Sequence, residues 1–421
     1  MDLQKRPELL APAGDEERLE AALHYGADAV YLGGKLFNMR AATESFDSNK
    51  LKLAVEKCHA IGTKVHLVAN TLPRNNEVPE LPAFFEQAAD AGVDAFIIAD
   101  VGVMRMAQKY APNIDIHMST QTADHVVDAQ QRAIRNHHSR RLRHDLGAKR
   151  IVMAREVCLD DIAEIRAKTS KDLEIECFVH GAMCMSFSGR CMLSNYMTGR
   201  DANRGDCAQP CRWKYHLVEE KRPGQYFEIT DDKDGTYILN SQDMCMIEHI
   251  PELVEAGVDS FKIEGRAKSA YYAAAVTNAY RAAIDEYLAN PSHDFKPSKW
   301  IVDEMKKISY RDYCTGFYFN NPNENAHVYY DGIYIREWDI IANVLEGTAD
   351  GAIKVIQRNR FYKGDELEVL MPATEPFTIT VDTMWNEKGE EIDVAPNPMA
   401  EIKIACDKEI PAGAILRKQK D

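Results

Sequence analysis

No uninterrupted apolar run of about 18 residues occurs anywhere in the chain, so a membrane-spanning helix is not expected. The start, MDLQKRPELLAPAGDEE, lacks the apolar core that a secretory signal needs. Positive charge is also in short supply: 51 Lys and Arg against 66 Asp and Glu leave a formal charge of −15. That argues against a surface built throughout to grip nucleic acid, although a local basic patch survives the argument because phosphate contacts depend on local charge. No G-x-G-x-x-G fingerprint follows the first strand-like run, which weakens a dinucleotide-binding reading. Neither H-E-x-x-H nor G-x-S-x-G is present, so the usual metalloprotease and serine-hydrolase signatures are missing. The chain reads as cytoplasmic. Its ten cysteines, without a secretory signal, point away from a disulfide framework and, where grouped, towards metal.

What is present is enough apolar material, 45% of 421 residues, for a sizeable core and two domains. One pattern recurs: a helical stretch closes on Gly and an apolar run begins about two residues later. It occurs in HYGADAVYLGG (Gly26), HAIGTKVHLVAN (Gly62), DAGVDAFIIAD (Gly92), LGAKRIVMARE (Gly147) and EAGVDSFKIEG (Gly257). Gly suits the left-handed residue that ends a helix, and the apolar runs suit strands buried on both faces. With ELLAPAG, IDIHMST and LEIECFVH the strands number eight, which favours a TIM-like (β/α)8 barrel over an open doubly wound sheet. After about residue 335 short strand-like runs separated by Gly, Pro and Asn predict a small all-β barrel or sandwich. In DELEVLM, Leu367 and Val369 alternate with Glu366 and Glu368 at period 2. The expected division is 1–334 for the barrel, including a helical connection at 267–334, and 335–421 for the β domain.

Four cysteines follow the seventh strand within 28 residues: Cys184, Cys191, Cys207 and Cys211, spaced C-x6-C-x15-C-x3-C. The Gly-, Ser-, Asn- and Arg-rich stretch 184–211 between them is loop-like. Four thiolates from one excursion satisfy a [4Fe–4S] cube, and nearby arginines offset its negative charge. The alternatives are a coincidental grouping that holds no metal and tetrahedral zinc, which usually takes two tight C-x2–4-C pairs, of which only Cys207 and Cys211 form one. Cys245 is an outside candidate for the fourth ligand. Cys58, Cys158, Cys177, Cys314 and Cys406 read as ordinary buried thiols.

With these residues in view, the chain resembles peptidase family U32. The resemblance is carried by Glu176-Cys177-Phe178-Val179-His180-Gly181-Ala182-Met183-Cys184 and by Gly189-Arg190-Cys191-Met192-Leu193-Ser194. ELLAPAG at 8–14, ADAVYLGG at 27–34, STQ at 119–121, KRIVMARE at 149–156 and KIEGR at 262–266 add to it. It covers nearly the whole chain, including a C-terminal extension similar to the family's small β-barrel. The late segments look most like the bacterial tRNA hydroxylation branch, associated with prephenate-dependent formation of 5-hydroxyuridine at the wobble position, U34. Related branches hydroxylate ribosomal RNA or the ubiquinone ring and bear Fe–S clusters. The resemblance therefore implies a [4Fe–4S] cluster, prephenate as cosubstrate and tRNA bound through its anticodon region, with room for a paralogous U32 partner protein. One departure is the segment 122–146, TADHVVDAQQRAIRNHHSRRLRHDLG, which is longer and richer in Arg and His than is usual in the family. It could serve as a basic RNA-facing helix, but a solvated charged face explains it better.

Strand C-terminal ends in a barrel carry the reactive groups, which places Asn70, Ser119, Gln121, Arg155, Glu156, His180, Glu264 and Arg266 around one mouth. Prephenate has two carboxylates and a keto group, so its site needs at least one bidentate arginine: Arg155 and Arg266 are the candidates, Arg40 the third. The competing reading of each is an ion pair with Glu156 or Glu264. Gln121 joins them as a polar contact. His180 suits a proton shuttle, or a hydrogen bond to a cluster sulfur. Arg200, Arg204, Arg212 and Lys214 make a basic strip for phosphates, unless they only balance the cluster. Tyr196 and Trp213 offer rings for a splayed base, with core packing as the alternative. The leading activity is tRNA uridine hydroxylation. A collagenase-like peptidase, a hydroxylase of another RNA and a non-catalytic tRNA scaffold are the alternatives.

Overall fold

In the computed structural model the described residues are 6–38, 46–120, 145–182, 193–200, 207–210, 213, 216–217, 227–228, 242–319 and 334–420. The strands of the first half are β1 (Glu8–Pro12), β2 (Ala29–Gly33), β3 (Lys64–Ala69), β4 (Ala95–Ile98), β5 (Asp115–Met118), β6 (Arg150–Val152), β7 (Glu174–Ala182) and β8 (Ser260–Ile263). Each pairs in parallel with the next, and β8 pairs with both β7 and β1. The sheet is therefore a closed, TIM-like eight-stranded barrel. Between the strands run α1 (Glu16–His24), α2 (Ser48–His59), α3 (Leu81–Ala91), α4 (Val101–Tyr110), α5 (Leu159–Lys168), α6 (Leu193–Thr198) and α7 (Ile250–Glu255).

Local sequence explains the helix ends. Asp47 and Asp100 sit in extended backbone and accept the Lys50 and Val103 amides at 3.0 and 2.9 Å, satisfying donors that open α2 and α4. Gly26, Gly62, Gly92, Gly147 and Gly257 all have positive φ, as the Gly-then-apolar pattern predicts. Every residue of β2 and β4 is buried. No helix among the described residues is long and apolar enough to cross a membrane.

Two compact units emerge. One comprises residues 1–16, 28–267 and 311–334; the other comprises 17–27, 268–310 and 335–421. The second unit thus draws on most of α1 and on the long helix α8 (Ala270–Ala289), which is buried on nearly every side. It also takes the short α9 (Lys299–Glu304). Its sheet contains β9 (Trp338–Ala349), β10 (Ala352–Gln357), β11 (Glu366–Leu370), β12 (Phe377–Thr380), β13 (Met384–Trp385), β14 (Glu391–Ile392), β15 (Glu401–Ala405) and β16 (Ile415–Gln419). The order is β12-β11-β16-β9-β10-β15-β13-β14, antiparallel throughout, forming a half-barrel over a core that includes Ile353, Val355, Leu367, Val369 and Ile404. Leu367 and Val369 are buried as their period-2 pattern requires, while Glu366 is exposed.

Candidate active site at the barrel mouth

The barrel interior is polar at one level and apolar at the next. Leu10, Ala29, Tyr31, Val68 and Ile97 form an apolar cluster. Contacts between strands that are not neighbours must run through the inside of the ring, and one of these, between β6 and β1, is ionic. Arg150 on β6 reaches Glu8 on β1 at 3.1 Å, and also bonds Glu174 (2.7 Å) and Glu176 (3.1 Å) on β7. Lys262 on β8 donates to Glu176 at 2.7 Å and lies 4.6 Å from the centre of the Tyr31 ring on β2. His66 on β3 and His117 on β5 meet edge to face, 4.6 Å apart, across β4. Burial alone would raise the Glu8 carboxyl, but the Arg150 guanidinium outweighs it and the pKa falls to about 2. Burial pushes His66 down to about 4 and His117 well below the usual imidazole value.

At the C-terminal ends of the strands, two arginines are buried and oriented. Arg155 follows β6; its Nη2 donates to Glu264 at 2.8 Å and its guanidinium lies 3.9 Å from the Phe178 ring centre. Arg266 follows β8; its Nη1 donates to Asn38 Oδ1 at 2.8 Å, and it sits 5.5 Å from the Tyr31 ring centre. Lys262 lies between them, 5.4 Å from the Phe178 ring centre. Phe178 is itself fixed, since the Tyr318 hydroxyl donates to its carbonyl at 2.6 Å. Gly33 allows the Asn38–Arg266 pair: a Cβ there would overlap the Asn38 amide and fall 2.9 Å from Arg266 Nη1.

His180 is buried near the end of β7, its ring 5.4 Å from that of Tyr313. The short strand Asp243–Cys245 runs antiparallel to this end and sets Cys245 opposite His180. Cys245, the outside ligand candidate, therefore lies on a strand beside the end of β7. Cys207 is half-buried, and its Sγ accepts the Gln209 amide at 3.3 Å, as sulfur ligands held by backbone N–H groups do. That environment suits a metal-bound sulfur. Cys58, Cys177 and Cys406 are buried, whereas Cys158 and Cys314 are only partly covered, so the expectation of five buried thiols holds for three. Tyr196 is 88% exposed and Trp213 42%, which removes core packing as their explanation.

The structure thus gathers Arg155, Glu264 and Arg266 at one mouth, with Ser119 buried at the end of β5 and His180 at the end of β7. Arg155 makes the ion pair with Glu264 that the competing reading named; Glu156, its sequence neighbour, is half-buried. Arg40, Gln121, Cys184, Cys191, Arg204, Cys211 and Arg212, with most of 122–146, lie outside the described residues. Sequence reasoning missed Lys262, Tyr31, Phe178, Asn38 and the whole Glu8–Arg150–Glu176–His66–His117 network. The signal was a charged residue in the middle of an otherwise buried strand, as in FKIEG and LEIECF.

Comparison with known proteins agrees with this architecture. Residues 14–328 match peptidase family U32, and residues 336–417 match the peptidase family U32 C-terminal domain. The chain is 36% identical to tRNA hydroxylation protein P1 of Bacillus subtilis, covering 99% of this chain and 96% of that protein. It is 32% identical to tRNA hydroxylation protein P of Escherichia coli, covering 93% and 92%. It is also 41% identical to an uncharacterized protease of Methanocaldococcus jannaschii, over 77% of this chain and 76% of the other. With both family regions matched and the barrel closed as described, this chain belongs to peptidase family U32.

Proposed function

We propose that this protein hydroxylates the wobble uridine, U34, of tRNA to 5-hydroxyuridine, with prephenate as cosubstrate and a [4Fe–4S] cluster held by Cys184, Cys191, Cys207 and Cys211. The observation that carries the reading is the convergence of Arg155, Lys262 and Arg266 on the Tyr31 and Phe178 rings at the strand ends. Buried guanidinium groups are always charged and present paired donors in a plane, which matches carboxylates. Arg155 donates through Nη2 to Glu264 and Arg266 through Nη1 to Asn38, so both forks are held in place at the mouth. Tyr31 and Phe178 supply flat walls for a small carbocycle and keep water from the charged groups.

In this arrangement Glu264 and Asn38 orient the arginines, the arginines bind the two carboxylates, and His180 holds a proton near the end of β7. When bound by Cys184, Cys191, Cys207 and Cys211, the cluster would supply one-electron chemistry. Exposed Tyr196 and Trp213, on the same excursion as Cys207, offer stacking faces for an unstacked base, and Arg200, Arg204, Arg212 and Lys214 suit the phosphates beside it. The names of the full-length Bacillus and Escherichia relatives support an RNA substrate. The peptidase alternative draws on the Methanocaldococcus relative's name and on no nucleophile–base pair built from the residues above.

The test is nucleoside analysis of tRNA from a strain lacking the gene. We expect 5-hydroxyuridine and its derivatives to vanish, to return with the wild-type gene, and to stay absent with Cys184→Ala or Arg155→Ala. Unchanged wobble nucleosides in the deletion strain would overturn the reading.

A further inference from the structure

Below the mouth, the inside of the barrel has chemistry that carboxylate binding does not use. His66 and His117 are 1% and 3% exposed, and the Nδ1 atom of each has no hydrogen-bond partner among the described residues. A buried polar atom left unsatisfied is costly, and two on touching rings is a doubled cost that calls for an explanation. Beside them is Glu176, fully buried, and ligand atoms of the three side chains all lie within 4.8 Å of one another.

We propose that His66, His117 and Glu176 form a binding site for one divalent first-row transition ion inside the barrel, separate from the cysteine loop. Two imidazole nitrogens and one carboxylate oxygen are a donor set of borderline softness, suited to Zn2+, Co2+, Ni2+ or Fe2+ and poor for Mg2+ or Ca2+. Each ligand comes from a strand backbone: His66 from β3, His117 from β5 and Glu176 from β7. The geometry is therefore set by barrel register rather than by a loop. Bonds of about 2.0–2.2 Å to a tetrahedral ion set ligand atoms roughly 3.4 Å apart, so the three atoms must draw together by at most about 1.4 Å from that 4.8 Å bound, within reach of side-chain torsions.

The main objection is the presence of Arg150 and Lys262, two cations in the same interior. Charge counting answers it. Glu8, Glu174 and Glu176 contribute three negative charges against the two positive ones, leaving an excess of one when both imidazoles are neutral. Burial does keep both imidazoles neutral at ordinary pH, which leaves a lone pair on each ring. Arg150 bonds Glu176 Oε2 and Lys262 bonds Oε1, so each carboxylate oxygen keeps a lone pair. The two cations fix the carboxylate's orientation, as outer partners of metal ligands commonly do.

The experiment uses the full-length chain carrying Cys184→Ala and Cys207→Ala, titrated with Co2+ and read by absorbance and melting temperature. We expect one equivalent to bind with visible ligand-field bands and no sulfur-to-cobalt charge transfer, and to raise the melting temperature. His66→Gln and His117→Gln should each lose that equivalent and the stabilisation. Should those variants fold poorly, X-ray absorption on the cobalt-loaded double-cysteine chain gives an answer without them: scattering from two imidazoles supports the site. No cobalt uptake, a shell without imidazole, or uptake that survives both histidine substitutions would overturn it. In that case water is what satisfies the two Nδ1 atoms.

Discussion

At the end of β2, Gly33 leaves no room for a side chain because the Asn38 amide and Arg266 occupy the space where a Cβ would stand. Gly33→Ala is expected to push Asn38 away and release Arg266 without touching the barrel core. With prephenate as the proposed cosubstrate, its KM should rise about tenfold with a smaller change in kcat, the pattern of lost ground-state binding. Glu8 carries a pH signature. Its carboxyl titrates near 4.5 when unfolded and at about 2 in the fold, so it contributes stability above pH 4.5 that is lost as pH falls towards 2. Melting temperature measured across that window should fall steeply for the wild type and less so for Glu8→Gln. The mouth arginines were legible in the sequence because a charged residue just past a buried strand has one place to go. The interior network was not. In Glu174-Ile175-Glu176-Cys177, alternation reads as one wet face and one dry face, and only ring closure turns the wet face inward onto Arg150.

Among the elements, β16 is the instructive one. ILRKQ carries two charges in five residues and does not read as a central strand, yet it lies between β9 and β11 and pairs with both. Its Arg417 is fully buried, bonding Glu304 at 2.7 Å and Glu368 at 2.9 Å and reaching the Tyr271 hydroxyl at 3.1 Å. Those partners lie 49 to 146 residues away in sequence, so no local pattern announces them. The five helix-closing glycines, by contrast, were legible because a left-handed helix end is a local demand. Arg417→Met should destabilise the second unit by about 3 kcal/mol, since Glu304 and Glu368 would lose their main counter-charge. Lys307, 2.8 Å from Glu368, keeps the loss at the lower end of that range. Urea unfolding followed by tryptophan fluorescence reads this, because Trp338 lies 5.5 Å from the guanidinium.

At the scale of the whole molecule, the second unit is assembled from three separate stretches of chain. The Tyr25 hydroxyl lies 3.0 Å from the Leu370 carbonyl oxygen and 3.2 Å from that of Gly413, and Asn278 both donates to Met371 and accepts from Ala373. A chain ending at Tyr334 keeps every barrel strand but strips these partners from 17–27 and 268–310. Such a truncation is expected to melt well below the full-length protein or to be insoluble, and differential scanning calorimetry of both would show it. A truncation as stable as the full chain would contradict the three-stretch assembly. The same assembly has a consequence for synthesis. A ribosome exposes Tyr25 some 345 residues before Leu370 leaves the exit tunnel, a delay of about 20–70 s at ordinary elongation rates. For that interval the early helix, joined by α8 once Ala270–Ala289 has been made, presents a face whose partners do not yet exist, and these surfaces stay uncovered until β16 is made.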